Sequence, residues 1–227
     1  MPSVQPMGFA HFISQTDALG MSLFVILLAM SIASWTVIVT KIRQAMARKS
    51  QAVAFLKDFQ EVSSLSALEG VADSHQSAHG RIAQAAISAA SYAKVKSGSG
   101  LMDAESPSEL VSRSLQQAID EEAAHQEYGQ TLLASVASSA PFVGLFGTVW
   151  GIYHALLSIG MSGQSSLDQV AGPVGEALIM TALGLAVAIP AALAYNAFQR
   201  QARLYGAQLE RFAHDLFVLI ATGSKPR

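Results

Sequence analysis

Apolar residues crowd into three blocks along the chain, and polar residues fill the stretches between them. Residues 21–40 and 132–159 carry no Asp, Glu, Lys or Arg, and residues 170–198 carry only Glu176. Each block reaches the roughly 20 residues of helix that a bilayer requires. A short polar stretch, 160–169, separates the second block from the third. So short a connection predicts an antiparallel hairpin across the membrane. Elsewhere the pattern is that of amphipathic helices. Residues 41–68 read as a helix continuing the first span, and a second helix is expected over 77–96, where Ser97-Gly98-Ser99-Gly100 breaks it. Ser106-Pro107-Ser108-Glu109 has the form of a helix start, with Ser as cap, Pro at the first position and Glu at the third. No breaker follows until Gly129, so this helix is expected to run on into the second span. Residues 197–220 extend the third, with Leu204, Leu209, Phe212, Leu216 and Ile220 as its apolar positions. The fold class is therefore all-α: an integral membrane protein with three transmembrane helices extended into a cytoplasmic helical bundle that packs subunits together.

Charge sets the expected orientation. Nine Lys and Arg residues fall within 41–131 and five within 199–227, which accounts for all 14. None lies in residues 1–20 or in the 160–169 turn, whose acidic residues are Asp17 and Asp168. By the positive-inside rule, 41–131 and 199–227 are cytoplasmic, while 1–20 and the turn are periplasmic. The start of the chain lacks the basic region of a cleaved signal peptide. Phe9, Phe12 and Ile13 recur at helical spacing, consistent with a short amphipathic helix at the outer interface. Only 13% of residues are charged, against about 25% in a soluble domain, so three buried helices of a large soluble protein are the weaker alternative.

Glu176 is the residue that most invites a chemical role. An ionisable group in a membrane helix costs about 2.5–3.5 kcal/mol or more. It persists where it faces a protein interior or a watery path, and there it can exchange protons. It can also persist by hydrogen bonding a neighbouring helix, or by lying close enough to the outer surface to be wet. At about 1.5 Å per residue, Glu176 lies roughly 9 Å from the outer start of its span, and Thr181 roughly 16 Å. Thr148, counted back from the outer end of the second span, also lies roughly 16 Å in. Both threonines thus belong near the midplane. Each could line a polar path, or simply bond its own helix backbone. Gly144, Gly147 and Gly151 on the second span, with Gly184 and Ala188 on the third, give small-residue spacings that allow close helix packing. The bulkier first span, with Leu23, Phe24, Ile26, Leu27 and Trp35, is expected to face lipid. Pro141 and Pro190 are candidate bends.

Enzyme motifs are missing. No phosphate-binding G-x-x-x-x-G-K-[ST] loop occurs, so ATP is not the expected energy source, and no nucleophile-elbow sequence occurs. The chain has no cysteine, which removes disulfides and thiolate chemistry. His75 and His79 share a helix face without a third ligand to complete a metal site. His154, in the second span, is either a polar packing group or a proton relay. No cofactor and no nucleic-acid partner are expected. A motor subunit, an autonomous channel and a passive membrane scaffold all remain open on these grounds.

The stretch Ala140-Pro141-Phe142-Val143-Gly144-Leu145-Phe146-Gly147-Thr148-Val149-Trp150-Gly151-Ile152 resembles the second-span motif of the ExbB/TolQ family. Residues 175–185, followed by Ala188-Ile189-Pro190-Ala191 and Tyr195-Asn196, resemble the family's third span. Ala171-Gly172-Pro173-Val174-Gly175 departs from the Pro-Gly-Ile-Ala-like order expected ahead of the glutamate. The resemblance implies a homo-oligomeric ring, typically a pentamer, around an ExbD-like or TolR-like single-span partner in the inner membrane. It implies use of the proton-motive force to energise a TonB-like or TolA-like protein, with the partner's transmembrane Asp as main proton carrier. It also implies that Glu176, Thr148 and Thr181 are lumen-lining. Phe198-Gln199-Arg200-Gln201 after Tyr195-Asn196 looks more like the ExbB branch, which would make the cargo siderophores, haem or vitamin B12. The TolQ branch, serving envelope maintenance in the Tol-Pal system, is the alternative.

Overall fold

The computed structural model of the chain describes residues 17–62, 64–97, 106–162 and 167–223. Among them run six helices: α1 Ala18–Glu61, α2 Leu65–Ser74, α3 Ala78–Ser97, α4 Pro107–Glu127, α5 Gln130–Ser162 and α6 Leu167–Thr222. No described residue forms a strand. Three helices are long and apolar enough to cross a membrane. At about 1.5 Å per residue, the 44 residues of α1 and the 56 of α6 far exceed the roughly 30 Å of a hydrocarbon layer. The helices therefore continue well past their apolar segments, and the fold is that of an all-α, three-span membrane protein. The predicted amphipathic turn at Phe9, Phe12 and Ile13 lies outside the described residues.

The chain divides into two compact units, one of Met1–Val39 with Gly129–Ala197 and the other of Thr40–Tyr128 with Phe198–Arg227. The second unit has a core of the soluble kind. Phe55, Leu68, Ile82, Leu115, Leu209 and Leu216 are buried in it. Leu209, Phe212, Leu216 and Leu219 follow a 3–4–3 spacing, which places them on one side of α6. Leu204, expected on that stripe, is exposed instead. It falls one residue short of the position, near Tyr205, that the stripe occupies on the turn before Leu209.

Local chemistry fixes where these helices begin. The capping box at α4 is complete: the Glu109 amide donates to Ser106 Oγ at 3.3 Å and the Ser106 amide donates to Glu109 Oε2 at 2.8 Å. The expected single helix over 41–68 is broken. It ends at Glu61, and Ser64 accepts from the Ala67 amide at 3.2 Å to start α2. Ser64 supplies that cap, because a serine side chain competes for the backbone donors that would continue a helix. Likewise α4 does not run smoothly into α5. Gly129 takes φ 81, a left-handed conformation that glycine reaches without a Cβ penalty, and its carbonyl then accepts from Leu133 at 3.3 Å to open α5. The cationic side chains of Lys41 and Arg48 both bind Gln126 near the end of α4, Lys41 through the main-chain carbonyl at 2.6 Å. A cation there meets the negative end of the helix dipole.

Glu122 and His79 are among the buried polar groups of this unit. Glu122 is buried, and Arg81 donates to its Oε1 at 2.5 Å, which raises the Arg81 pKa chiefly through that hydrogen bond. His79 is enclosed by rings, with Phe212 at 5.0 Å and Phe55 at 5.8 Å between centroids, and its Nδ1 has no hydrogen-bond partner. Burial pushes the His79 pKa down from 6.5, against a smaller opposing pull from Glu122. The unfolded chain therefore binds a proton more readily than the folded one. The stabilising contribution is complete above 6.5 and is lost as pH falls from there toward the lowered folded value. His79→Phe is expected to flatten the acid side of the stability curve below 6.5, read as thermal unfolding in detergent. An unchanged slope would place the acid sensitivity elsewhere.

Candidate functional site

The other unit contains the apolar parts of α1, α5 and α6, and the contact between α5 and α6 is its tightest feature. A Cβ placed on Gly144 would lie 2.7 Å from the Met180 carbonyl oxygen and 3.0 Å from Gly184 Cα. One on Gly184 would lie 2.7 Å from the Ala140 carbonyl oxygen. The backbones touch here, and no side chain fits between them. One turn further along, Gly147 lies under the Met180 side chain, and a Cβ on Gly151 would meet Ala177 Cβ at 2.9 Å. Ala188 is buried on the same side of α6 as Gly184. Pro141 and Pro190 both sit inside continuous helix, as does Pro173 in the segment that departs from the family order.

The close approach brings two hydroxyls together. Thr148 is four residues past Gly144 and Thr181 three before Gly184, so antiparallel helices crossing at the glycines oppose them. Thr148 Oγ1 hydrogen bonds Thr181 Oγ1 and also lies 3.1 Å from the Gly144 carbonyl oxygen and 3.2 Å from that of Ala177. Thr148 is buried, whereas Thr181 is partly exposed. Glu176 belongs to α6, about a turn and a half before Thr181, but its side chain lies outside the described residues. The structure therefore brings Thr148 and Thr181 into contact and gives Glu176 a helical position.

The outward faces of the hairpin are apolar. Phe142, Phe146 and Val149 on α5 and Leu178, Ile189 and Leu193 on α6 are all exposed. Exposed apolar surface of this extent needs lipid or neighbouring chains to cover it. On α1, Ile26 and Trp35 are exposed as expected for a lipid-facing helix, but Leu27 is not. Leu27, Ser34 and Ile38 form a buried stripe at near-heptad spacing, so α1 also packs with one face. Ser34 belongs on that stripe because its hydroxyl is satisfied within the helix, donating to the Ser31 carbonyl at 3.0 Å.

One cluster was not read from the sequence. The Asp17 carboxylate accepts from the Gly20 amide at 2.8 Å and from the Trp150 indole N–H at 2.7 Å. His154 Nε2 lies 3.9 Å away, and its ring lies against Trp150 at 4.6 Å between centroids. Partial burial pushes the Asp17 pKa up. The Trp150 and Gly20 hydrogen bonds and the charge of His154 more than offset this and hold it below its ordinary value. A signal existed: Asp17 is the only acidic residue ahead of the first span, where a helix needs a cap. As for metals, no three His, Asp or Glu among the described residues come together to hold one, and His75 instead pairs with Asp58 at 2.8 Å.

These features define a class: a multi-pass, all-helical membrane protein whose α5–α6 hairpin is packed on glycine and carries a hydroxyl pair in its interior. Residues 74–211 match the MotA/TolQ/ExbB proton channel family. The biopolymer transport protein ExbB of Xanthomonas campestris pv. campestris (strain B100) is 43% identical, with 99% of this chain and 93% of that protein covered. ExbB of Neisseria meningitidis serogroup A is 39% identical over 89% of this chain and 92% of its own length. The Tol-Pal system protein TolQ of Haemophilus influenzae is 34% identical over 76% of this chain and 75% of its own. The chain belongs to the MotA/TolQ/ExbB proton channel family.

The glycine contact is directly testable. Gly144→Ala adds a methyl group against backbone, and overpacking of this kind costs about 1–3 kcal/mol. Gly160 has nothing within 4 Å of the equivalent position, so Gly160→Ala is expected to be neutral or stabilising by about 0.5–1 kcal/mol. The thermal midpoint of purified Gly144→Ala should fall, while that of Gly160→Ala should hold or rise. A Gly144→Ala midpoint at or above that of the parent would mean that the helices yield freely there.

Proposed function

We propose that this chain is the ExbB-type subunit of an inner-membrane motor driven by the proton-motive force, which energises TonB-dependent outer-membrane import of siderophores, haem or vitamin B12. The observation that carries the reading is the 43% identity with an ExbB across 99% of the chain. The TolQ relative, at 34% over 76%, supports a Tol-Pal role as the second reading. In this proposal residues 1–20 and 160–169 are periplasmic, and 41–131 and 199–227 are cytoplasmic, on the distribution of Lys and Arg. The exposed apolar faces of α5 and α6 are covered by neighbouring copies, with a pentamer the favoured ring, and by an ExbD-like single-span protein within it.

The mechanism follows from scale. One proton crossing the membrane supplies about 2.3 kcal/mol per 100 mV. So small a drive can move an inner partner only by switching an interaction of similar size. Glu176 facing a partner Asp provides one: two carboxylates repel, and protonating either removes the repulsion. Thr148 and Thr181, at the midplane, place hydroxyls on the proton path between that site and the cytoplasm.

Glu176→Gln keeps size and hydrogen bonding but cannot titrate. It is expected to abolish siderophore uptake while the ring, seen on a native gel, assembles normally. Wild-type uptake at normal protein level would remove charge at Glu176 from the mechanism. The double variant Thr148→Val, Thr181→Val should cut uptake at least about tenfold, equivalent to about 1.4 kcal/mol, with assembly intact. Full uptake would make these residues packing groups. A defect in detergent resistance with siderophore uptake unaffected would decide for the Tol-Pal reading.

A further inference from the structure

The cluster at the start of α1 has a chemistry that helix packing does not require. Both oxygens of Asp17 are engaged by fixed donors, Oδ1 by the Gly20 amide at 2.8 Å and Oδ2 by the Trp150 indole at 2.7 Å. Its carboxylate is thus held as an acceptor. The group left free to exchange a proton is His154, whose ring lies against Trp150 at 4.6 Å and stands edge-on to Tyr153 at 5.6 Å. The His154 side chain is 50% exposed in the single chain, and its Nε2 is 3.9 Å from the Asp17 carboxylate. His154 is also six residues beyond Thr148 on α5, about 9 Å of helix rise. Among the described residues, the titratable groups facing it are Asp17, from the start of α1, and Tyr153 on its own helix. The side chains of Asp168 and Glu176, on α6, lie outside the described residues.

We infer that His154, seated beside the Asp17 carboxylate with its ring tilted against Trp150, is the group through which protons from the outer aqueous phase enter the α5–α6 hairpin. The inference rests on the proposed orientation and proton-driven role. The need for such a group is kinetic. Diffusion-limited encounter reaches about 10¹⁰ M⁻¹s⁻¹, so at about pH 8 free protons arrive at one site only about a hundred times per second. An imidazole can take protons from buffer and water as well as from free hydronium. The step balances without any other reactant. An O–H bond of hydronium or an acidic buffer breaks as an N–H bond forms on the imidazole. That N–H bond then breaks as the proton passes to water further in, and neutral imidazole returns. Asp17 offsets the positive charge in the interval.

The test reads proton flux directly, in vesicles containing the assembled complex with its partner and an internal pH dye. His154→Gln is expected to match the parent at an outer pH of about 6 and to fall about threefold to tenfold below it at about pH 8. Millimolar imidazole in the outer medium should restore the lost flux, because a mobile base replaces the fixed one. Trp150→Phe, which keeps a ring under His154 but frees Asp17, should show a smaller deficit of the same pH dependence. Equal flux at pH 8 would overturn the inference. So would a deficit that is the same at both pH values and indifferent to imidazole, since that is the behaviour of a packing residue. Glu176→Gln measured alongside reports separately on the proposed function. Flux unaffected there, with His154→Gln impaired in the expected manner, leaves the entry site standing and removes Glu176.

Discussion

Everything in the inner hairpin depends on two backbones being allowed to touch. Gly144 and Gly184 remove the side chains that would otherwise hold α5 and α6 apart, and the carbonyls of Met180 and Ala140 occupy the space. In lipid no hydrophobic effect drives helices together, so close van der Waals contact and interhelical hydrogen bonds must do so. The glycine contact supplies the first and sets the register for the second. One turn toward Gly151, Thr148 and Thr181 meet because the crossing point sets them opposite each other. One turn further, Gly151 receives Ala177, and the stripe of small residues continues. The polar pair is therefore a product of the packing rather than an addition to it.

The unit formed by Thr40–Tyr128 and Phe198–Arg227 solves a different problem. Its core is built on interlocked rings, with Phe55 edge-on to Phe212 at 5.6 Å and Phe59 edge-on to the same ring at 5.2 Å. Its buried carboxylate Glu122 is answered by Arg81 at 2.5 Å. Removing one member of such a pair leaves an uncompensated charge, which is far worse than losing both. The hairpin, by contrast, holds only neutral hydroxyls at its centre among the described side chains. The carboxylate near α5, Asp17, is partly exposed.

How much of this could be read beforehand follows from the range of each interaction. The three long apolar helices and the capping box at Ser106 are written in neighbouring residues, and both correspond to features of the structure. The matching depths of Thr148 and Thr181 were legible because helix rise is constant. The break before α2 was missed because apolar periodicity continues across it, and only a serine cap marks the change. The break at Gly129 was missed because a single glycine is tolerated inside many helices, and only its φ of 81 reveals the turn. Leu27 was assigned to lipid on its size, whereas burial of α1 follows spacing, not bulk. The Asp17–Trp150 bond joins residues 133 positions apart, and no local pattern encodes such a pair.

The hydroxyl pair has one property that its geometry alone dictates. Thr148 Oγ1 carries a single proton yet faces three acceptors: the Gly144 carbonyl at 3.1 Å, the Ala177 carbonyl at 3.2 Å and the Thr181 hydroxyl. Either threonine can be the donor between them. Two threonines so placed have no fixed polarity. Rotation about one C–O bond in each reverses the sense of the hydrogen-bonded chain, and no heavy atom has to move. A buried element of this kind is a small dipole with two settings, free to align with whichever charge lies beside it.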